Sequence, residues 1–298
     1  MMNINLICFN YAYGSFTNGP GISCWNFTKF CNQNFNIYTV LKSDLESKNI
    51  KEYNTNNSNI VHWWSGLDQR IFSVIEKEKK IGKKLIIGPN LLDGVNPKLE
   101  IELCNKFKPD LILVVNKDIK YKLKKYLKYR IEEFMTGPDY DLWKPSNDIF
   151  NKILWKGNPS HESKDIGTAL ELQKKIVDKM DLIGYPSVYR YPEHIGRASR
   201  YAGFVSTSLS ETKSEAVLEQ MAAGIPCITH PGVFMMGQHY KTGIVVEKNI
   251  DAMAAAANRI LEDRELREDL AYGARSFILE NFSKEKLSEY YKWLLNEC

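Results

Sequence analysis

Short apolar runs alternating with helix-length stretches, their boundaries marked by Gly, Pro or Asn, constrain this chain more than any other feature. NLICFN (5–10), NIYTV (36–40), IVHWW (60–64), KLIIG (84–88) and DLILVVN (110–116) fill the first half. KILW (152–155), GFVSTS (203–208), IPCITH (225–230) and GIVVE (243–247) fill the second. Runs this short and apolar read as strands buried on both faces, with helices returning the chain over each face. The expectation is an α/β fold with parallel strands. Helices are expected around Trp25, Phe27 and Phe30, from Asp68 to Lys80, from Lys164 to Asp178, over KSEAVLEQMAA (213–223), and beyond GIVVE to the end. The stretch MDLIGYPSVYRYP (180–192) fits neither pattern.

FMTGPDYDLWKP (134–145) breaks the rhythm with Gly, two Pro and no periodicity, so it reads as a connection. With 298 residues there is material for two domains, expected at 1–147 and 148–282, and two domains imply a cleft. A composition of 44% hydrophobic and 26% charged residues excludes disordered and fibrous classes. The formal charge of +4 suits phosphate-bearing ligands but falls short of a dedicated nucleic-acid binder. The six cysteines form no CxxC pair and several sit in apolar runs, which suggests reduced thiols in a cytoplasm-like compartment. The beginning lacks a basic leader and no run approaches the length of a membrane span, so the expectation is a soluble protein, at most peripherally attached to membrane.

The most informative segment is STSLSETKSEAVLEQMAAGIPCIT (206–229). A strand ends, a polar loop carries Glu211, a helix starts with a capping-box pattern of Thr212 and Glu215, and Gly224-Ile225-Pro226 stops it. The free N–H groups of that helix start, around Thr212, Lys213 and Ser214, suit a diphosphate. Glu211 before the helix and Glu219 about two turns in could meet one ligand, one carboxylate at a sugar and the other at a ribose.

Glu211 and Glu219, separated by seven residues, and the run LEQMAAGIPCIT closely resemble the signature of the retaining glycosyltransferases known as group 1, or family 4. GPDYDLWKP (137–145) looks like that family's interdomain segment, TGIVVEKN (242–249) like its Thr-Gly-apolar strand, and FSKEKLSEYYKWLLNE (282–297) like its closing helix. The resemblance covers the second half in register and the first half more loosely. It implies a GT-B fold, two Rossmann-like parallel-sheet domains facing a central cleft, with residues 283–298 packing back on the first domain. It further implies sugar transfer from a nucleotide-diphosphate donor with retention, of hexosyltransferase type, with no metal and no cofactor beyond the donor. Glu211 would hold hydroxyls of the donor sugar and Glu219 the ribose.

Two cations on the diphosphate belong to the same pattern. Lys164 in SKDIG fits the family's lysine, whereas Asn158 stands where the family has Arg, and Lys156 two residues earlier is the substitute on hand. A lysine screens a phosphate as a point charge but makes no bidentate fork. Gly19 and Gly21 in GPGIS resemble the family's Gly-Gly loop, placed where donor phosphate meets acceptor. The family's cleft histidine is absent after KLIIGPN, where Asn90 is the nearer polar candidate. His62 beside Trp63 and Trp64 reads equally as a packed residue. Asp139-Tyr140-Asp141 mimics a metal motif, yet it sits in the connection and reads as structural.

The lysine-rich segment Lys117 to Arg130 has Ile119, Leu123 and Leu127 on one stripe. Its plain reading is a solvated helix face, and the sharper one a peripheral contact with membrane lipid phosphates or another anionic acceptor. The partners expected are thus a nucleotide sugar and an acceptor of open identity, with nucleic acid disfavoured. The rival readings are another GT-B enzyme, such as a nucleotide-sugar epimerase or a phosphorylase, and a non-catalytic nucleotide-sugar-binding protein.

Overall fold

The computed structural model describes residues 2–9, 19–40, 47–55, 58–92, 97–184, 191–211, 213–233, 239 and 241–297. The chain divides into two compact units, Met1–Thr136 with Lys284–Cys298, and Gly137–Ser283.

The first unit runs β1 (Asn3–Cys8), α1 (Gly19–Phe30), β2 (Asn34–Thr39), β3 (Lys48–Asn49), β4 (Ile60–Trp63), α2 (Gln69–Lys80), β5 (Lys84–Ile87), α3 (Pro97–Phe107), β6 (Leu111–Val114), α4 (Lys117–Lys124) and β7 (Ile131–Glu133). The strands form one parallel sheet in the order β3-β2-β1-β4-β5-β6-β7. This is the dinucleotide-fold order, with its switch between β1 and β4. Asp68 caps α2 through the N–H of Arg70, and Lys77, Lys79 and Lys80 lie in its last turn, where the helix dipole favours cations. The Gly19-Pro20-Gly21 stretch, expected as a loop, is instead the first turn of α1. Proline is at home there because the first helical N–H groups have no intrahelical acceptor.

The second unit runs β8 (Phe150–Gly157), α5 (Ile166–Lys175), β9 (Met180–Gly184), α6 (Tyr191–Ala198), β10 (Tyr201–Val205), α7 (Glu215–Ala222), β11 (Cys227–Thr229), β12 (Gly243–Val245), α8 (Ile250–Glu262) and α9 (Arg264–Asn281). Its sheet is also parallel, in the order β12-β11-β10-β8-β9, with the switch between β8 and β10. The unassignable stretch 180–192 thus holds β9 and the start of α6. α5 begins at Ile166, two residues later than expected, because Asp165 caps it by accepting from Thr168 N. The connection folds with this unit from Gly137 onward: Trp143 is fully buried, and Arg275 donates to the carbonyls of Tyr140 (3.0 Å) and Trp143 (2.8 Å). Asp139 accepts the N–H of Asp141 at 3.1 Å, so the Asp-Tyr-Asp triplet builds a turn.

α7 ends as its sequence dictates. Gly224 takes φ +67°, its N–H bonds to Met221 O at 3.0 Å, and Ile225 N–H reaches back to Gln220 O at 2.9 Å. These two bonds close the helix in a Schellman motif, which needs a left-handed residue at that point. The N-terminal cap differs from the expectation: Ser214 accepts from Val217 N, while Thr212 lies outside the described residues.

The chain then re-enters the first unit as α10 (Lys284–Asn296). Tyr291, Leu294 and Leu295 are buried against Leu6, Ile86, Leu111 and Leu113. His62 is fully buried in the same layer, where its Nε2–H donates to Gly88 O (2.7 Å) and its Nδ1 accepts from Tyr291 O–H (2.8 Å). Burial lowers its pKa from 6.5 to about 4, so this histidine is a neutral packing residue. Cys8, Cys24, Cys31, Cys104 and Cys227 are buried free thiols. Among the described residues no helix is long and apolar enough to cross a membrane.

Candidate active site

In open parallel sheets a ligand crevice forms beyond the carboxyl ends of the strands, at the switch point. In the second unit that point lies between β8 and β10, and the loops leaving those two strands carry Lys164 and Glu211. The two side chains meet there, Lys164 Nζ bonding to Glu211 Oε1. Both keep some exposure, 29% for the lysine and 14% for the glutamate, so solvent and a ligand can reach the pair.

The pair is positioned by groups around it. Ser208 Oγ donates to Glu211 Oε1 at 2.8 Å, and Glu211 N–H is held by Gly232 O at 3.0 Å. On the lysine side, the Thr207 hydroxyl donates to the carbonyls of Lys164 (2.9 Å) and Asp165 (3.0 Å), while accepting from Trp155 Nε1 at 2.8 Å. Leu209 N–H reaches Ser163 O at 2.8 Å, so the two loops are also tied through backbone. His230, buried, accepts from Gly232 N–H at Nδ1 (3.1 Å), which leaves its Nε2–H to donate to Ser208 O (2.7 Å). Asp165 sits in a left-handed conformation at φ +48° and pairs with Lys248 at 2.5 Å. Its carboxyl is held below the usual range: burial would raise it, but Lys248 and Thr168 together outweigh that.

A second lysine–glutamate pair lies deeper. Lys156 at the end of β8 contacts Glu219 of α7 at 2.5 Å, and its ammonium stands 4.5 Å from the ring centroid of Trp143. His194 of α6 meets the same indole edge-on, 6.2 Å between centroids, and its buried Nδ1 has no hydrogen-bond partner among the described residues. Its pKa is pushed down to about 3, first by burial and then by the Lys156 charge.

The remaining candidates are dispersed. Lys213 pairs with Glu215 at 2.5 Å and is almost fully buried. Asn158 shapes its own turn by accepting from Ser160 N–H at 3.0 Å. Gly19, Gly21 and Asn90 belong to the first unit, where the buried Oδ1 of Asn90 has no partner among the described residues. Thr207, Ser208, His194 and His230 were not singled out from the sequence. The string STS after a strand carried a signal for the first two, since hydroxyls at a strand's carboxyl end commonly tie loops down. A lone histidine offers no such cue.

Residues 166–277 match the profile of the family described as glycosyl transferases group 1. Comparison with curated protein sequences finds no match. Solved structures show the same fold across the whole length of this chain. Sucrose-phosphate synthase from Thermosynechococcus elongatus superposes with a TM-score of 0.76 at 12% identity, covering 100% of this chain and 99% of its own. HepE of Anabaena, in complex with UDP and glucose, gives 0.78 at 9% identity with 100% of both chains covered. A glycosyltransferase from Rickettsia africae gives 0.72 at 16%, covering 99% of this chain and 98% of its own. The fold is therefore GT-B, built of two Rossmann-like parallel-sheet domains.

Proposed function

We propose that this protein is a glycosyltransferase that moves a sugar from a nucleoside-diphosphate sugar to a hydroxyl acceptor with retention of configuration and without a metal. The observation that carries the reading is the Lys164–Glu211 couple at the switch point, set between loops fixed by Thr207, Ser208 and His230. Each partner matches one end of such a donor, the ammonium facing phosphate oxygens and the carboxylate accepting sugar hydroxyls. Donor binding thus exchanges one ion pair for two polar contacts between side chains that the surrounding loops already position. Glu219, Lys156 and the α7 start complete the donor side. In the reaction the C1–oxygen bond to the diphosphate breaks as the acceptor oxygen attacks from the same face. The acceptor proton passes to the departing phosphate oxygen, whose charge Lys164 stabilises.

HepE has been solved with UDP-glucose, which makes that compound the first donor to test here. The acceptor class spans glycans and lipid-borne hydroxyls. The test is transfer from labelled UDP-sugars to a panel of acceptors in the presence of a chelator, with the anomeric configuration of product read by NMR. An inverted product, or transfer that stops on chelation, would overturn the mechanism. Donor binding without any turnover would favour a nucleotide-sugar-binding protein, a rival suggested by Asn158 at the arginine position and by the Glu219 partner that already engages Lys156.

A further inference from the structure

The lysine-rich segment of the first unit has a definite architecture. At about 100° per residue, Ile119 and Leu123 of α4 define an inward stripe. Both are buried, as is Leu127 beyond the helix. Opposite that stripe Tyr121 stands at the middle of the outward face, flanked by Lys117, Lys124 and Lys125. Tyr121 is 66% exposed and Tyr126 62%, well beyond what an aromatic ring usually shows to water.

The side of α4 that faces the sheet edge leads to a third aromatic. Lys120 and Arg130 both bind Glu132 of β7, the edge strand, at 2.9 and 3.3 Å. The Arg130 guanidinium in turn covers the ring of Trp293 on α10 at 5.0 Å. Trp293 is 47% exposed and stacks on Tyr290. Glu132 and Arg130 thus link α4 along the strand edge to Trp293, so the exposed aromatics and cations of this side of the first unit form one belt.

Cations outnumber acids here. Lys117, Lys122, Lys124, Lys125 and Lys128 are exposed and form no ion pair among the described residues, Lys120 and Arg130 share the single carboxylate of Glu132, and Asp118 and Glu133 are the other acids of the region. A merely solvated face requires charge but has no use for exposed tyrosine and tryptophan. A nucleic-acid groove would use both, but the overall charge of +4 gives little long-range support for it. Amphipathic rings among lysines suit a headgroup layer, where the ring sinks to the acyl boundary and the ammonium stays with lipid phosphates.

We propose that this belt docks the protein on an anionic lipid bilayer. The test is co-sedimentation of the full chain with phosphatidylcholine vesicles, with and without phosphatidylglycerol. Binding is expected only to the anionic vesicles, weakening with salt. Each lysine near the surface contributes about fivefold in affinity, so Lys124→Glu with Lys125→Glu should weaken binding by more than about twentyfold. Tyr121→Ser with Tyr126→Ser, and Trp293→Ala separately, should also weaken it, while Lys174→Glu on the second unit should leave it unchanged. Equal sedimentation with both vesicle types, or full binding by the Lys124/Lys125 variant, would overturn the proposal. So would tight binding to duplex DNA that depends on the lysines and ignores the tyrosines. All these residues are exposed, so the variants should fold, and thermal melting checks that. The assay involves no donor and no turnover, so its outcome is separate from that of the transfer reaction.

Discussion

The ammonium of Lys156 lies 2.5 Å from the Glu219 carboxylate with 9% of one side chain and 4% of the other exposed. Lys164 and Glu211 form the same chemical pair with more than three times that exposure. Burial therefore sets two different expectations for matched substitutions.

Removing Lys156 leaves a buried carboxylate without its cation. Lys156→Met should cost about 3–5 kcal/mol of stability, and the double variant Lys156→Met/Glu219→Gln should recover much of it because no charge is then stranded. Urea unfolding of the four proteins in the cycle measures this. A single variant as stable as the wild type would show that the pair does not hold α7 to β8.

For the exposed pair the loss is expected in rate. Lys164→Ala and Glu211→Ala should each lower kcat/KM for the nucleotide sugar about 100-fold or more, with stability changed by less than about 1 kcal/mol. Thermal melting and initial rates separate the two quantities. Retained turnover would displace the site.

Much of the fold was legible because its strands are buried and its helices are capped by their own sequence. Asp68 announces α2, and Gly224-Ile225-Pro226 announces the end of α7. α3 escaped notice because Glu100 is buried along with Leu103, Cys104 and Phe107, which blurs its apolar stripe. β9 was hidden for a related reason. It is an edge strand carrying Asp181, which binds Lys152 at 2.9 Å and the Tyr201 hydroxyl at 2.8 Å, so it lacks a purely apolar run. Glu211, Glu219 and Lys164 were legible as motif residues. Their partners were not, because Lys164 and Glu211 are 47 residues apart and meet only because β8 neighbours β10.

Acid should weaken the protein through its buried histidines. An unfolded chain protonates His62 below pH 6.5, whereas the folded chain resists until about 4. The unfolded state thus binds the extra proton between those values, so this stability is complete above pH 6.5 and is lost as the pH falls toward 4. His62 alone accounts for about 3 kcal/mol across that window, and His194 acts in the same direction. Unfolding free energies measured at stepped pH should show His62→Gln with a slope smaller by about one proton. Identical slopes would refute the assignment.

Gly224 holds a left-handed conformation, and an added Cβ would meet Pro145 Cγ at 3.3 Å. Gly224→Ala should destabilise by about 1–2 kcal/mol. Gly82, at φ +84° with open space around it, is the comparison that isolates backbone strain from crowding. Equal losses at both sites would mean that the Pro145 contact costs nothing.

The return of α10 to the first unit governs the order in which the protein can be made. Residues 137–283 emerge from the ribosome as an uninterrupted stretch and can complete their own interior at once. The earlier-translated unit must wait with Phe27, His62 and Trp64 lacking the cover of Tyr291 until that whole stretch has passed. During that interval its aromatic layer is a natural client for a nascent-chain chaperone.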